Sequence, residues 1–343
     1  MDSRNELLSV QPDQSFGTRR LSDRLRALRM RELGLLPVLG LVVVVGSLTS
    51  SVFLTSANII NILQQSSVLA VVVIGESLIL IVGKFDLSLE STVGLAPMIG
   101  AWLVASAGIG GAGTHINPYL AILVVLAVGA GVGAVNALLV VRFRLNAFIV
   151  TLAMLILLRG VTEGVSKSQT LFNLPGPFIY IGSANWLGVP VSVWLAGALY
   201  VVVGYFLHYH RLGRAIYAIG GNAEAARAAG IRVERVTAGV FIFGGILAAV
   251  GGLISTGIIA SATAAQGQNL IFSVFAAAVI GGVSMSGGRG HLLGALAGVL
   301  LLGTVTDILT LSQISPFWID ASNGAIILIA LMLTRIASRE EGI

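Results

Sequence analysis

Residues 208–235 read HYHRLGRAIYAIGGNAEAARAAGIRVER, the longest polar run between two apolar segments of the chain. Nearly everything around this stretch is apolar enough to cross a bilayer, and this piece is not. It carries Arg211, Arg214, Arg227, Arg232 and Arg235 against only Glu224 and Glu234. Asn222 is a good helix N-cap, and Ala223, Ala225, Ala226, Ala228 and Ala229 are strong helix formers. Gly230 stands where a helix-ending glycine belongs. These residues predict a short, small-faced helix between two membrane spans, suited to docking into a groove on another protein. A plainer reading also fits, a cytoplasmic loop whose arginines set topology.

Working outward, composition fixes the class. The 343 residues are 56% hydrophobic and 10% charged, with mean hydropathy +0.96. Soluble domains are about 25% charged, so this is an all-α polytopic membrane protein with the lipid bilayer as its solvent. The 43 glycines suit close packing between spans. Cysteine is absent, which excludes disulfides, thiolate metal sites and cysteine nucleophiles. A net charge of +5 reads as topogenic arginine and not as a nucleic-acid surface.

The apolar pattern predicts about ten spans. They cover residues 33–48, 66–82, 92–107, 119–141, 148–165, 191–207, 236–258, 270–283, 292–311 and 323–333. Residues 51–65 carry Asn58, Asn61, Gln64 and Gln65, too polar for lipid, and are read as a helix entry lining the protein interior. Small residues mark helix contacts: Gly129 with Gly133, Gly244 with Ala248 and Gly252, and Gly294 with Gly298. Residues 1–32 form a cytoplasmic tail in which Leu21, Leu25 and Leu28 mark a basic amphipathic helix on the inner leaflet. Residues 33–336 form the transmembrane domain, and 337–343 a second cytoplasmic tail. Ten spans with both termini cytoplasmic put every one of the 20 Lys and Arg residues inside except Arg159 and Lys167, as the positive-inside bias requires.

Catalytic chemistry is not evident. Lys84 follows Gly83, but Leu78 and Phe85 break a Walker A motif. Residues 282–286, GVSMS, lack the last glycine of a nucleophile elbow. His115, His208, His210 and His291 have no partners at metal-ligand spacing. Glu76 and Asp307 are the acids expected inside spans, without a basic residue beside them, and a structural role is favoured for both. Nothing here drives uphill transport alone, so the chain reads as neither an enzyme nor a holder of cofactor or metal.

Four ordered blocks now carry a resemblance. Glu224, Ala225, Ala226 and Gly230 resemble the EAA-x3-G element by which permeases of ATP-binding-cassette (ABC) importers dock onto their ATPase subunits. The wider text GRAIYAIGGNAEAARAAGI, which includes Gly213, Arg214, Gly221, Asn222 and Arg227, is similar to the version in the ribose-type sugar permease family. GKFDLSLES, residues 83–91, resembles that family's GGxDLSxGS turn through Asp86 and Ser88. NAFIVTLAMLILLRG, residues 146–160, resembles PFIVTLGTxxxxRG. FAAAVIGGVSMSGGRGHLLGALAG, residues 275–298, resembles AAxxxGGxSxxGGxG through Gly281, Gly282, Gly287, Gly288 and Gly290. Departures are Lys84 for glycine, Asn146 for proline, Leu270 and Ile271 for an acidic patch, and Asp307 for asparagine.

The resemblance implies a permease of the bacterial inner membrane, working as a homo- or heterodimer with ATPase subunits inside and a sugar-binding protein outside. A monosaccharide needs uncharged donors and acceptors along its path. Asn58, Asn61, Gln64, Gln65, Asn136 and Asn269 have that chemistry, although each also suits a helix-to-helix bond. Rival readings are the same machine carrying a polyol, nucleoside or sugar-like signal, an ion-coupled secondary transporter, and a membrane enzyme.

Overall fold

A computed structural model describes residues 35–114 and 116–340. The amphipathic helix expected within residues 1–32 lies outside the described residues. The helices are α1 (Leu35–Thr49), α2 (Ser56–Ile81), α3 (Leu89–Val104), α4 (Pro118–Ala137), α5 (Ala147–Ser166), α6 (Gly176–Ser183) and α7 (Val191–Tyr209). They continue as α8 (Arg211–Gly221), α9 (Ala223–Ala228), α10 (Val233–Ile259), α11 (Leu270–Ile280), α12 (Leu292–Leu311) and α13 (Pro316–Glu340). A π turn, Leu138–Arg142, extends α4. Strands β1 (Asn185–Trp186) and β2 (Val189–Pro190) form a small antiparallel hairpin before α7.

The core is organised around α10, which packs along α4, α2, α3 and α6. Its small residues permit this. A side chain at Gly129 would run into the backbone of Gly245, one at Gly133 into Phe241, and one at Gly252 into Val93. The glycine pairs read from the sequence are thus true contact points, where backbones touch and dispersion accumulates. Gly294 meets Gly281, and Gly298 meets Ala277, so α11 and α12 pack in the same way.

Six helical segments among the described residues are long and apolar enough to cross a membrane: α2, α4 with its π turn, α5, α7, α10 and α12. Pro37–Thr49 of α1, α3 and α11 are shorter apolar helices. Several expectations change in detail. The helix entry read at 51–65 begins at Ser56, capped by Thr55, and runs without a break into the second span as one 26-residue helix ending at Ile81. The loop at 166–190 contains α6 and the hairpin. Residues 259–269 separate two expected spans as an uncharged loop, and after Ile259 the chain turns back into the bundle. There Gln266 donates to the Gly252 carbonyl at 2.8 Å and the Val93 carbonyl at 3.3 Å. Buried backbone carbonyls left without partners are costly, and Gln266 satisfies two where α3 and α10 cross.

The charge census left Arg159 off the cytoplasmic side although it falls in the expected span 148–165, and it lies within α5, where it pairs with Glu90 at the start of α3. Glu90 is 4% exposed, and its other oxygen accepts from the Ile271 amide at 3.3 Å, on the first turn of α11. Glu76 and Asp307 are therefore not the only ionisable groups inside the helices. Glu90 escaped the sequence reading because it was assigned to a polar turn that in fact ends at Ser88.

Candidate docking face and translocation path

Three of the four sequence blocks converge at one end of the bundle. The Gly288 amide donates to the Ile81 carbonyl at 2.8 Å, joining the 284–291 turn to the end of α2. A side chain at Gly220 would meet both the Ile81 carbonyl oxygen and the Gly288 amide. Gly287 and Gly288, at φ 84° and 70°, adopt the left-handed conformation that glycine tolerates. They lie against Gly83, Gly220 and Gly221. Tyr217 on α8 donates its hydroxyl to the Gly290 carbonyl at 2.7 Å. Burial raises the Tyr217 pKa above its ordinary value, so the hydroxyl keeps the proton it donates.

This junction holds the polar stretch in place. Gly213, Ala215, Ile216 and Ile219 of α8 face inward, and Leu212, Arg214 and Gly221 face outward. Asn222 then caps α9 by accepting from the Glu224 and Ala225 amides at 3.0 and 2.9 Å, a cap worth about 1 kcal/mol. Gly230 closes α9 at φ 83°. Within α9 only Ala226 is buried, at 4% exposure. The presented residues are therefore Ala223, Glu224, Ala225, Arg227 and Ala228. Arg227 pairs with Glu234 at 2.5 Å, with both side chains more than half exposed.

Asp86 and Ser88 are wholly buried. Asp86 accepts from the Ser88 amide at 3.0 Å and its hydroxyl at 2.6 Å, a local turn that starts α3. Asn136 on α4 donates to both Asp86 oxygens, at 3.2 and 3.1 Å, and to the Ser88 hydroxyl at 2.7 Å. The Glu76 side-chain oxygen accepts from the Asp86 amide at 3.5 Å. Asn136 was a candidate for the path, but the structure places it in this knot and brings it to neither cavity.

The other path candidates divide. Asn61 and Gln65 line a cavity of about 330 Å³ between α2, α11, α12 and α13, together with Asp307. Asn269 lines a neighbouring cavity of about 260 Å³, and Ser273 on α11 borders both. Gln64 instead donates to the Gly182 carbonyl at 2.9 Å. Asn58 donates to the Phe53 carbonyl at 3.1 Å and to Asp307 at 2.8 Å. Ser66, Ser273, Thr306 and Asn323 also border the larger cavity and were not singled out in the sequence. A hydroxyl within an apolar span gives little signal until its neighbours are known.

Comparison with known proteins agrees with this geometry. Residues 58–333 match the family described as "Branched-chain amino acid transport system / permease component". The ribose import permease protein RbsC of Escherichia coli is 35% identical, over 90% of this chain and 94% of the relative. Its Bacillus subtilis counterpart is 34% identical, over 89% and 93%. The D-allose transport system permease protein AlsC of Escherichia coli is 31% identical, over 87% and 90%. With a match across nearly all its apolar helices and the blocks of sequence gathered at one end, this multi-pass inner-membrane chain belongs to the ribose-type sugar permeases of the ABC importer family.

Proposed function

We propose that the chain is the transmembrane subunit of an ABC importer and forms the path for a monosaccharide. The observation that carries this reading is the glycine junction, which holds α8, and through it α9, against α2 and the 284–291 turn. A movement forced on α9 by an attached ATPase would pass through backbone contacts into α2, α10 and α12. In this reading α9 and the outward residues of α8 seat in the ATPase, and a binding protein delivers the sugar at the opposite end. The relatives' names, for ribose and D-allose, support a pentose or hexose as cargo. A second copy or a related permease completes the path.

Ten spans follow if α1, α3, α11 and α13 join the six long helices. That arrangement puts both termini and the arginines of 208–235 in the cytoplasm. The arginine bias supports it.

The test is co-purification of the partner ATPase. Ala226 points into this chain's own core, so a large residue there would damage the permease itself. Ala225 is exposed, and Ala225→Trp should abolish ATPase capture while leaving the thermal stability of the permease alone unchanged. Arg227→Ala should lose little, because an exposed ion pair contributes at most about 1 kcal/mol. Undiminished ATPase capture by Ala225→Trp would reduce the stretch to a topogenic loop.

A further inference from the structure

The larger cavity carries unspent hydrogen-bonding groups. The Ser66 hydroxyl oxygen and the Asn323 side-chain carbonyl, on two residues that line it, are buried with no hydrogen-bond partner among the described residues. Ser66 as a whole is 5% exposed. Buried oxygens of this kind cost stability unless a donor reaches them. Asp307 adds a carboxylate. One of its oxygens is fixed by the Asn58 amide, which the Phe53 carbonyl holds in turn. Asn58 is 8% exposed, so this clamp is rigid. No lysine, arginine or histidine is among the described residues that line the cavity. The wall is thus rich in acceptors, carries one negative charge and lacks a counter-charge.

We propose that Asp307, positioned by Asn58, sets the charge selectivity of this cavity, admitting neutral polyhydroxylated solutes and repelling anionic ones. Hydroxyl donors satisfy the Asp307 carboxylate. Asn61 and Gln65 supply amides to the solute's ring and hydroxyl oxygens. A solute bearing a carboxylate or phosphate is repelled by Asp307 across a low-dielectric gap. The cavity lies in the first half of α2 and the last half of α12, away from the glycine junction. This placement rests on the proposed function, under which that half faces the binding protein. A solute handed over there meets the charge filter before the docking end can move.

The chain has 0 cysteines, so single thiols report local potential without background. Thr310 borders the cavity one helical turn from Asp307, and Thr310→Cys is a conservative probe. The full-length permease, in proteoliposomes, is treated with cationic and anionic methanethiosulfonate reagents of similar size. The cationic reagent should react faster by a margin roughly tenfold above that at a control thiol, Leu187→Cys, on the exposed hairpin. Adding Asp307→Asn should bring the Thr310→Cys ratio down to the control value. Adding Asn58→Ala should lower it in part, because the carboxylate is then free to turn. D-ribose or ribitol in the tens of millimolar should slow labelling at Thr310→Cys, and ribonate should not. An unchanged ratio in Asp307→Asn overturns the charge assignment. Equal protection by ribonate, or none by either neutral probe, overturns the binding site. Neither readout uses ATP, so the importer assignment is tested separately by ATPase capture and uptake.

Discussion

Arg159→Ala is expected to be among the most destabilising single polar substitutions in the bundle. Glu90 is almost fully buried, and Arg159 is its only basic partner among the described residues. Removing one member of such a pair leaves a charge in a low-dielectric interior, which typically costs about 3–5 kcal/mol. Arg159 retains about a third of its side-chain exposure, so the lower end of that range applies. Adding Glu90→Gln should recover most of the loss. The amide oxygen still accepts from Ile271 at the start of α11, and the stranded charge is gone. Thermal unfolding of the purified variants checks this through a double-mutant cycle. Equal stability of the parent and Arg159→Ala would mean that the pair contributes nothing to the bundle.

Gly220→Ala tests the junction. The added methyl would press on the Ile81 carbonyl and the Gly288 amide, and both are backbone atoms held by a hydrogen bond to each other. Overpacking of this kind costs roughly 1–3 kcal/mol, and more where the neighbours cannot yield. The turn at 284–291 should separate from α2, so ATP-driven transport should fall more steeply than stability. Gly197→Ala on α7 is the control, away from the docking face. A methyl at that position meets no atom within 4 Å, so the variant should behave as the parent. Equal effects of the two substitutions would show that the close approach at Gly220 does not transmit movement.

The sequence makes some of this structure legible and hides the rest for physical reasons. The α9 helix, its Asn222 cap and its Gly230 end follow from local propensity, which needs no tertiary information. The glycine pairs on α4, α10 and α12 are legible because close backbone approach demands small residues at four-residue spacing. Inward and outward positions on α9 are not. Six residues are too few to show a periodicity, and Ala226 differs from Ala225 only in what surrounds it.

Polar residues within the spans proved hardest to assign. Asn136 and Asn61 look alike in sequence, yet one is locked to Asp86 and Ser88 while the other lines a cavity. A bare amide does not say whether its partner is a helix or a cargo. Glu90 shows the same limit. The family turn GGxDLSxGS has glycine at its position, and the family's acidic patch is missing at Leu270 and Ile271. Here the carboxylate comes from Glu90 and lies on the Ile271 amide, a substitution that only the packing of α3 against α11 reveals. Glu76 and Asp86 are close in the fold as well as in sequence, and they hold the α2 to α3 turn in a knot that uses no basic residue.

The central claim is that sugar moves through this chain on energy supplied by a partner's ATP hydrolysis. Proteoliposomes containing the permease, its ATPase and its binding protein, loaded with ATP on the ATPase side, provide the direct measurement. Accumulation of radiolabelled ribose or allose should require all three proteins and ATP, and should stop when Ala225→Trp prevents ATPase attachment. Accumulation by the permease alone under a proton or sodium gradient, without ATP, would contradict the account.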